Sequence, residues 1–147
     1  MGLRKIAAGI DFGVRSDSLV VNEISRWFGV EPTCAFEKGD SYTGREKRGP
    51  SIVAVNRVRP FGVWHFCTSE SLHSNNVNDH ARLLIDTFTP AKSAIAQMIA
   101  DPELYVKITI WVLGYTFDIS AVCLASLSSF AEDVTITCWD EKEDYSK

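Results

Sequence analysis

The densest run of side chains able to do chemistry lies between Glu37 and Arg59. Lys38, Arg45, Lys47, Arg48, Arg57 and Arg59 stand there against only three acids, Glu37, Asp40 and Glu46. Guanidinium forks bind phosphate and carboxylate groups bidentately, so these residues form a candidate anion-binding set; solvated loop charge is the simpler account of them. Within the run, Lys38-Gly39-Asp40 follows Phe36. The glycine permits a positive φ and the Asp40 carboxylate can accept from nearby backbone amides, which describes a turn. The functional alternative is that Asp40 orients Arg45 or Lys38 toward an anionic ligand. Neither GxGxxG nor a Walker loop occurs, so no standard nucleotide cradle accompanies these residues.

His65, His73 and His80 are the only histidines, and Cys67 lies among them. His65 and Cys67 share one face of a strand, but no HxxxH or CxxC spacing completes a ligand set, and the reading is that no metal is bound. The carboxylate pairs Asp79 with Asp86 and Glu132 with Asp133 suit helix capping and surface charge better than general acid and base work. No GxSxG signature is present, and a catalytic cysteine would need a neighbouring base that the sequence does not reveal. The aromatic residues Trp64, Trp111, Tyr115 and Trp139 offer large contact area with few torsions, as interface anchors do, although Trp64 suits a core equally well.

The elements that must position these residues follow from pattern. Lys5 to Phe12 alternates, with Ile6, Ala8, Ile10 and Phe12 on one face, and predicts a strand ended by Gly13. Ser16, Asp17 and Ser18 offer caps for a helix with the stripe Val20, Ile24, Trp27 and Phe28, which Gly29 closes and Pro32 keeps from resuming. Glu31 to Pro50 lacks a sustained period and reads as a long loop. Ser51 to Val58 and Val63 to Thr68 read as a hairpin around the turn Arg59-Pro60-Phe61-Gly62. Asn78 or Asp79 is the expected cap of a helix carrying Ala81, Leu84, Ile85 and Phe88. Thr89-Pro90 restarts it with Ile95, Met98 and Ile99 facing in. Tyr105 to Val112 is a strand with Val106, Ile108, Ile110 and Val112 on one face and Tyr105, Lys107, Thr109 and Trp111 on the other. Asp118 or Ser120 caps a last helix with Val122, Leu124, Leu127 and Phe130, and Val134 to Trp139 alternates as the last strand.

This order predicts one α+β domain over residues 1–147, a ferredoxin-like βαβ–βαβ sandwich with an extra hairpin and a broken helix inserted between the two units. Helices would cover one sheet face. Lys107, Thr109 and Trp111, with Thr135, Thr137 and Trp139, would occupy the open one.

Composition bounds the class. Of 147 residues, 46% are hydrophobic and 23% charged, near globular averages, so neither disorder nor a fibrous chain is indicated. No apolar stretch approaches the roughly 20 residues that span a bilayer, and the N-terminus lacks the h-region of a signal peptide. A cytoplasmic protein with four reduced, buried cysteines, Cys34, Cys67, Cys123 and Cys138, is therefore expected. The net charge of −4 argues against non-specific nucleic-acid binding. Asp140 to Lys147 reads as an acidic, frayed tail.

Several of these features together resemble the bacterial family known as domain of unknown function 4279. They are Ile24 with Trp27-Phe28-Gly29-Val30-Glu31-Pro32-Thr33, then Lys38-Gly39-Asp40, a strand with Trp64, Phe88-Thr89-Pro90 before Ile95, and a last helix and strand. The ending Thr137-Cys138-Trp139 departs from the acidic-aromatic ending associated with the family. The resemblance implies the architecture and no particular activity.

The functional expectation is a non-enzymatic binding module without a cofactor. An immunity- or inhibitor-like protein of bacteria or their viruses, meeting a protein partner or a second copy through Trp111 and Trp139, is one form of it. The alternative is a small-ligand protein that binds an anionic metabolite or nucleotide with Lys38, Asp40, Arg45, Arg48, Arg57 and Arg59 of the loop 38–59.

Overall fold

A computed structural model describes residues 7–139. The expectations for Lys5, Ile6 and the tail from Asp140 lie outside the described residues.

The central strand is β1 (Ala8–Ser16), whose even-numbered residues Ala8, Ile10, Phe12 and Val14 are buried while Asp11 and Arg15 look the other way. The strand does not stop at Gly13. A Cβ there would stand 2.6 Å from Cδ2 and Nε2 of His65, so the glycine makes room for a ring lying across the strand and marks no turn. Helix α1 (Val21–Phe28) then buries Ile24 and Phe28, and Gly29 ends it at φ 66° with its amide on the Ser25 carbonyl. The serines before it do not cap it. Ser16 is buried at the strand end with its hydroxyl on the Ser18 amide, and the Glu37 carboxylate accepts from Val21 N at 2.8 Å. Trp27, expected on the apolar stripe, is 49% exposed.

The expected loop over 31–50 is instead largely strand. β2 (Cys34–Phe36) joins the main sheet, and β3 (Ser41–Arg48) pairs antiparallel with β4 (Ser51–Val58) around Gly49 at φ 61°. The ribbon buries neither face fully, so no apolar alternation announces it. Nor does Ser51–Val58 pair with the strand after it. β5 (Gly62–Cys67) pairs with β1 on one side and β2 on the other, and Arg59-Pro60-Phe61 carry the chain between the two sheets.

Helix α2 (Val77–Phe88) is capped by Asn76, whose Oδ1 accepts from Asn78 N at 2.9 Å. The expected cap, Asn78, accepts instead from Ser120 N at 2.7 Å, tying this end to the start of the last helix. A 3₁₀ turn holding Pro90 leads into α3 (Lys92–Ala100), and β6 (Tyr105–Leu113) follows with strict alternation. In α4 (Ala121–Ser128), Cys123 and Leu127 are buried, as is Phe130 beyond it, whereas Val122, expected inside, is 77% exposed. β7 (Asp133–Trp139) runs parallel to β6.

The result is a mixed α+β arrangement with a five-stranded sheet ordered β2-β5-β1-β6-β7 and a separate β3-β4 ribbon. Its core gathers Phe12, Phe28, Trp64 and Phe88: the Phe12 and Phe88 rings lie 4.6 Å apart and those of Phe28 and Trp64 4.8 Å. The Trp64 indole donates to Ser25 Oγ at 3.0 Å, which satisfies the polar atom that burial would otherwise strand. All four thiols are free, and of these only Cys123 is buried, contrary to expectation; Cys34 and Cys138 are exposed because each lies on an edge strand.

Just past β5, Thr68 extends the ladder with its side chain. Its Oγ1 accepts from Ile10 N at 2.9 Å and lies 2.8 Å from His80 Nδ1, while His80 Nε2 is 2.6 Å from the Ser74 carbonyl. With the hydroxyl donating to Nδ1 and Nε2–H donating to Ser74, every polar group in this buried relay is used. Thr68→Val keeps the shape and strands Ile10 N–H and Nδ1, so unfolding in urea is expected to show a loss of about 1–3 kcal/mol.

Candidate functional site on the open sheet face

The face of the sheet opposite the helices is where β1 brings charge and space together. Its odd-numbered residues face this side, and strand register sets their neighbours: Asp11 lies opposite Cys67 and Thr109, Gly13 opposite His65 and Lys107, and Arg15 opposite Val63 and Tyr105. Because opposite residues in an antiparallel pair share a face, all of these side chains stand on one surface. Glycine shapes it. The His65 ring covers Gly13 and the Trp111 ring covers Gly9, where a Cβ would meet the indole at 2.5 Å. A groove of about 400 Å³ results, lined among others by Asp11, Arg15, Phe61, His65, Lys107 and Thr109.

Arg15 is held at one end with its guanidinium 5.1 Å from the Phe61 ring centre and 5.2 Å from that of Tyr105. Such stacking leaves the fork's edge N–H groups available. Tyr105 in turn donates to Asp133 at 2.7 Å, a bond that pushes the phenol's pKa up. Among the described residues, no ion pair involves Arg15 or Lys107. At the other end, Asp11 Oδ1 is buried without a hydrogen-bond partner.

Two neighbouring groups titrate abnormally. Burial of its inner side lowers the pKa of His65 below 6.5, with the Asp11 charge pulling the other way. The Cys67 thiol is pushed up to about 12, first by burial and then by the charge and hydrogen bond of Asp11. Cys67 is thus a poor nucleophile and a poor metal ligand at neutral pH. Iodoacetamide at pH 8 is expected to alkylate Cys34 at least tenfold faster than Cys67, and Asp11→Asn to narrow that gap, as peptide mass mapping over time would show. Equal rates would contradict this assignment. Among the described residues, no three His, Cys, Asp or Glu side chains are arranged to hold a metal ion.

The sequence-derived candidates are dispersed. Asp40 forms a turn: its Oδ2 accepts from Glu37 N at 2.8 Å, and its carbonyl from Arg59 N at 2.8 Å. Gly39 beside it takes φ 93°, the conformation that the turn reading of Lys38-Gly39-Asp40 requires. Lys38 reaches Asp17 at 3.8 Å. Arg59 is sandwiched between Phe36 and Tyr42, at 3.9 and 3.8 Å from their ring centres, and so pins the ribbon's base to β2. Register places Arg45 opposite Ala54 on one face of the ribbon, and Arg48 opposite Ser51 and Arg57 opposite Tyr42 on the other. The ribbon therefore does not gather its arginines into one cluster.

Trp111 and Trp139 do share the open face, two register positions apart, with Trp111 half-buried over Gly9 and Trp139 37% exposed. His73 is exposed on the loop that leads to α2, while His80 is consumed by the buried relay. Glu132 accepts from Val106 N at 3.1 Å, and Asp79 accepts from Ser74 Oγ at 2.7 Å, so these carboxylates are engaged in structure.

Asp11, Arg15 and His65 were missed as site residues. The signal for them was the alternation of Gly9-Ile10-Asp11-Phe12-Gly13, which already put Asp11 on the face away from the core. Ending the strand at Gly13 removed Arg15 from it.

Among the described residues, no helix is long and apolar enough to cross a membrane. No curated protein and no solved structure matches the chain. A family model, Domain of unknown function (DUF4279), matches residues 6–141, nearly the whole length, and the chain belongs to that family.

Proposed function

We propose that this chain is a non-enzymatic binding module whose open sheet face receives the anionic group of a ligand. The observation that carries the proposal is the pair of cations, Arg15 and Lys107, without ion pairs among the described residues and bordering the groove of about 400 Å³. Aromatic stacking on two sides orients the Arg15 guanidinium before any ligand arrives, which reduces the ordering cost of binding. His65 and Thr109 add hydrogen-bonding groups along the walls. The ribbon's split arginines and stacked Arg59 make it the weaker candidate for the same role.

The architecture supports this reading. β2-β5-β1-β6 is antiparallel throughout, with α1 between β1 and β2 and α2-α3 between β5 and β6. We read these as a ferredoxin-like unit, with the β3-β4 ribbon inserted before its second half and α4-β7 appended at one edge. That fold leaves one sheet face free for ligands or partners, and fold alone does not choose between them. A protein-partner role, such as an immunity- or inhibitor-like protein of the bacterial cytoplasm, draws its support from Trp139, 37% exposed near Trp111 on the open face.

Sulfate, dianionic throughout pH 5–8, tests the ligand reading by calorimetric titration. Because the pKa of His65 lies below its usual 6.5, the ring is uncharged at pH 7 and takes up a proton only under more acidic conditions. Sulfate affinity is therefore expected to rise as pH falls from 6.5 to 5, and to decline with added chloride. His65→Gln is expected to flatten the pH profile. Absence of sulfate binding at either end of this range would contradict the proposal.

A further inference from the structure

The groove is not uniformly cationic, and its two ends ask for opposite things. Along β1 the open face runs Gly9, Asp11, Gly13, Arg15, so a carboxylate and a guanidinium stand four residues apart with the His65 ring over Gly13 between them. At ~3.3 Å per strand residue their Cα atoms are about 13 Å apart, with Lys107, opposite Gly13, at roughly half that distance along the strand. The floor between the poles is the His65 ring, which lies over Gly13 where a Cβ would meet it at 2.6 Å.

Asp11 is the distinctive group. The Cys67 thiol opposite it bonds to its carboxylate, yet Oδ1 is buried without a hydrogen-bond partner, and no ion pair joins Asp11 to Lys107, one diagonal step away. A buried acceptor of this kind is normally satisfied, and a ligand that brings a donor completes it. A second anionic group placed there would be repelled.

We infer that the groove takes a zwitterion, its ammonium on Asp11 and its carboxylate or phosphate on Arg15 and Lys107. This rests on the anion-binding reading above and narrows it. The matching ligands are linear molecules with charges on the order of 10 Å apart, the span that the strand rise sets, such as a short peptide with free termini or a long ω-amino acid.

The test compares 8-aminooctanoate with suberate, two eight-carbon chains that differ in one terminal charge, by calorimetry on the full chain at pH 7. The expected result is at least tenfold tighter binding of 8-aminooctanoate. Asp11→Asn, which keeps the shape of the side chain, is expected to bring the two affinities within about twofold by weakening the amino acid. Arg15→Ala with Lys107→Ala is expected to lose both. Equal binding of the two probes by the unaltered protein would overturn the zwitterion inference and leave the anion site standing. If the unaltered protein binds neither, both fall.

Discussion

Replacing Arg15 and Lys107 together by alanine is expected to weaken anion binding by a hundredfold or more while leaving the fold intact. Hydrogen bonds to charged groups each contribute about 1.5–3 kcal/mol, and two such groups act on the same anion. The cost to stability is small, because neither cation has an ion-pair partner among the described residues. Arg15 alone gives up its stacking on Phe61 and Tyr105, worth about 0.5–1 kcal/mol each at an exposed site. Arg15→Lys separates charge from geometry: it keeps the cation and loses the planar fork, so a carboxylate or phosphate is held less well than by arginine. Arg45→Ala with Arg48→Ala removes equal charge from the ribbon and is expected to leave affinity within about twofold, since neither side chain lines the groove and both are solvent-exposed. Sulfate titration of the four proteins checks the set, and loss of binding in the ribbon variant alone would move the site there.

Phe88→Ala is expected to produce the largest loss of stability of any single change considered, about 3–5 kcal/mol in urea unfolding. Phe88 closes α2 and is fully buried, with the rings of Phe12, Phe28, Trp64 and Phe66 at 4.6, 5.4, 6.1 and 5.2 Å. It therefore touches α1 and the two strands, β1 and β5, whose other faces carry Asp11, Arg15 and His65. Truncation leaves a cavity under those strands, and the loss exceeds the transfer energy of the missing ring. The two variants should separate cleanly: Arg15 with Lys107 affects binding, Phe88 affects folding. A loss below 1 kcal/mol for Phe88→Ala would mean that the aromatic cluster does not hold the sheet in the manner described.

How much of this was legible beforehand depended on whether a segment had one wet face and one dry one. β6 alternates apolar and polar residues over its whole length, so its two faces, including Lys107 and Thr109 on the open side, could be read directly. Gly29 announced the end of α1 because only a left-handed residue fits there. The β3-β4 ribbon could not be read in the same way: with neither face dry, Arg45, Lys47 and Arg48 carry no periodic signal and look like loop charge. The pairing of β5 was equally hidden, since the short turn before Gly62 suggested a hairpin, whereas β5 inserts between β1 and β2. Gly13 misled for a related reason. Glycine at a strand end and glycine beneath a ring look alike in sequence, and only the approach of His65 distinguishes them. That one residue concealed half of the site, because Arg15 follows it. Asp11 stood on the right face from the outset; its buried, unpartnered oxygen is a tertiary property that no spacing encodes.

Amide chemical-shift mapping of the ¹⁵N-labelled protein during titration with sulfate tests anion binding at the open sheet face most directly. Saturable shifts are expected, confined to residues 11–15, 61–67 and 105–109, three segments that are distant in sequence and adjacent in the sheet. Shifts centred on residues 41–58 of the ribbon, or none at saturating sulfate, would contradict it.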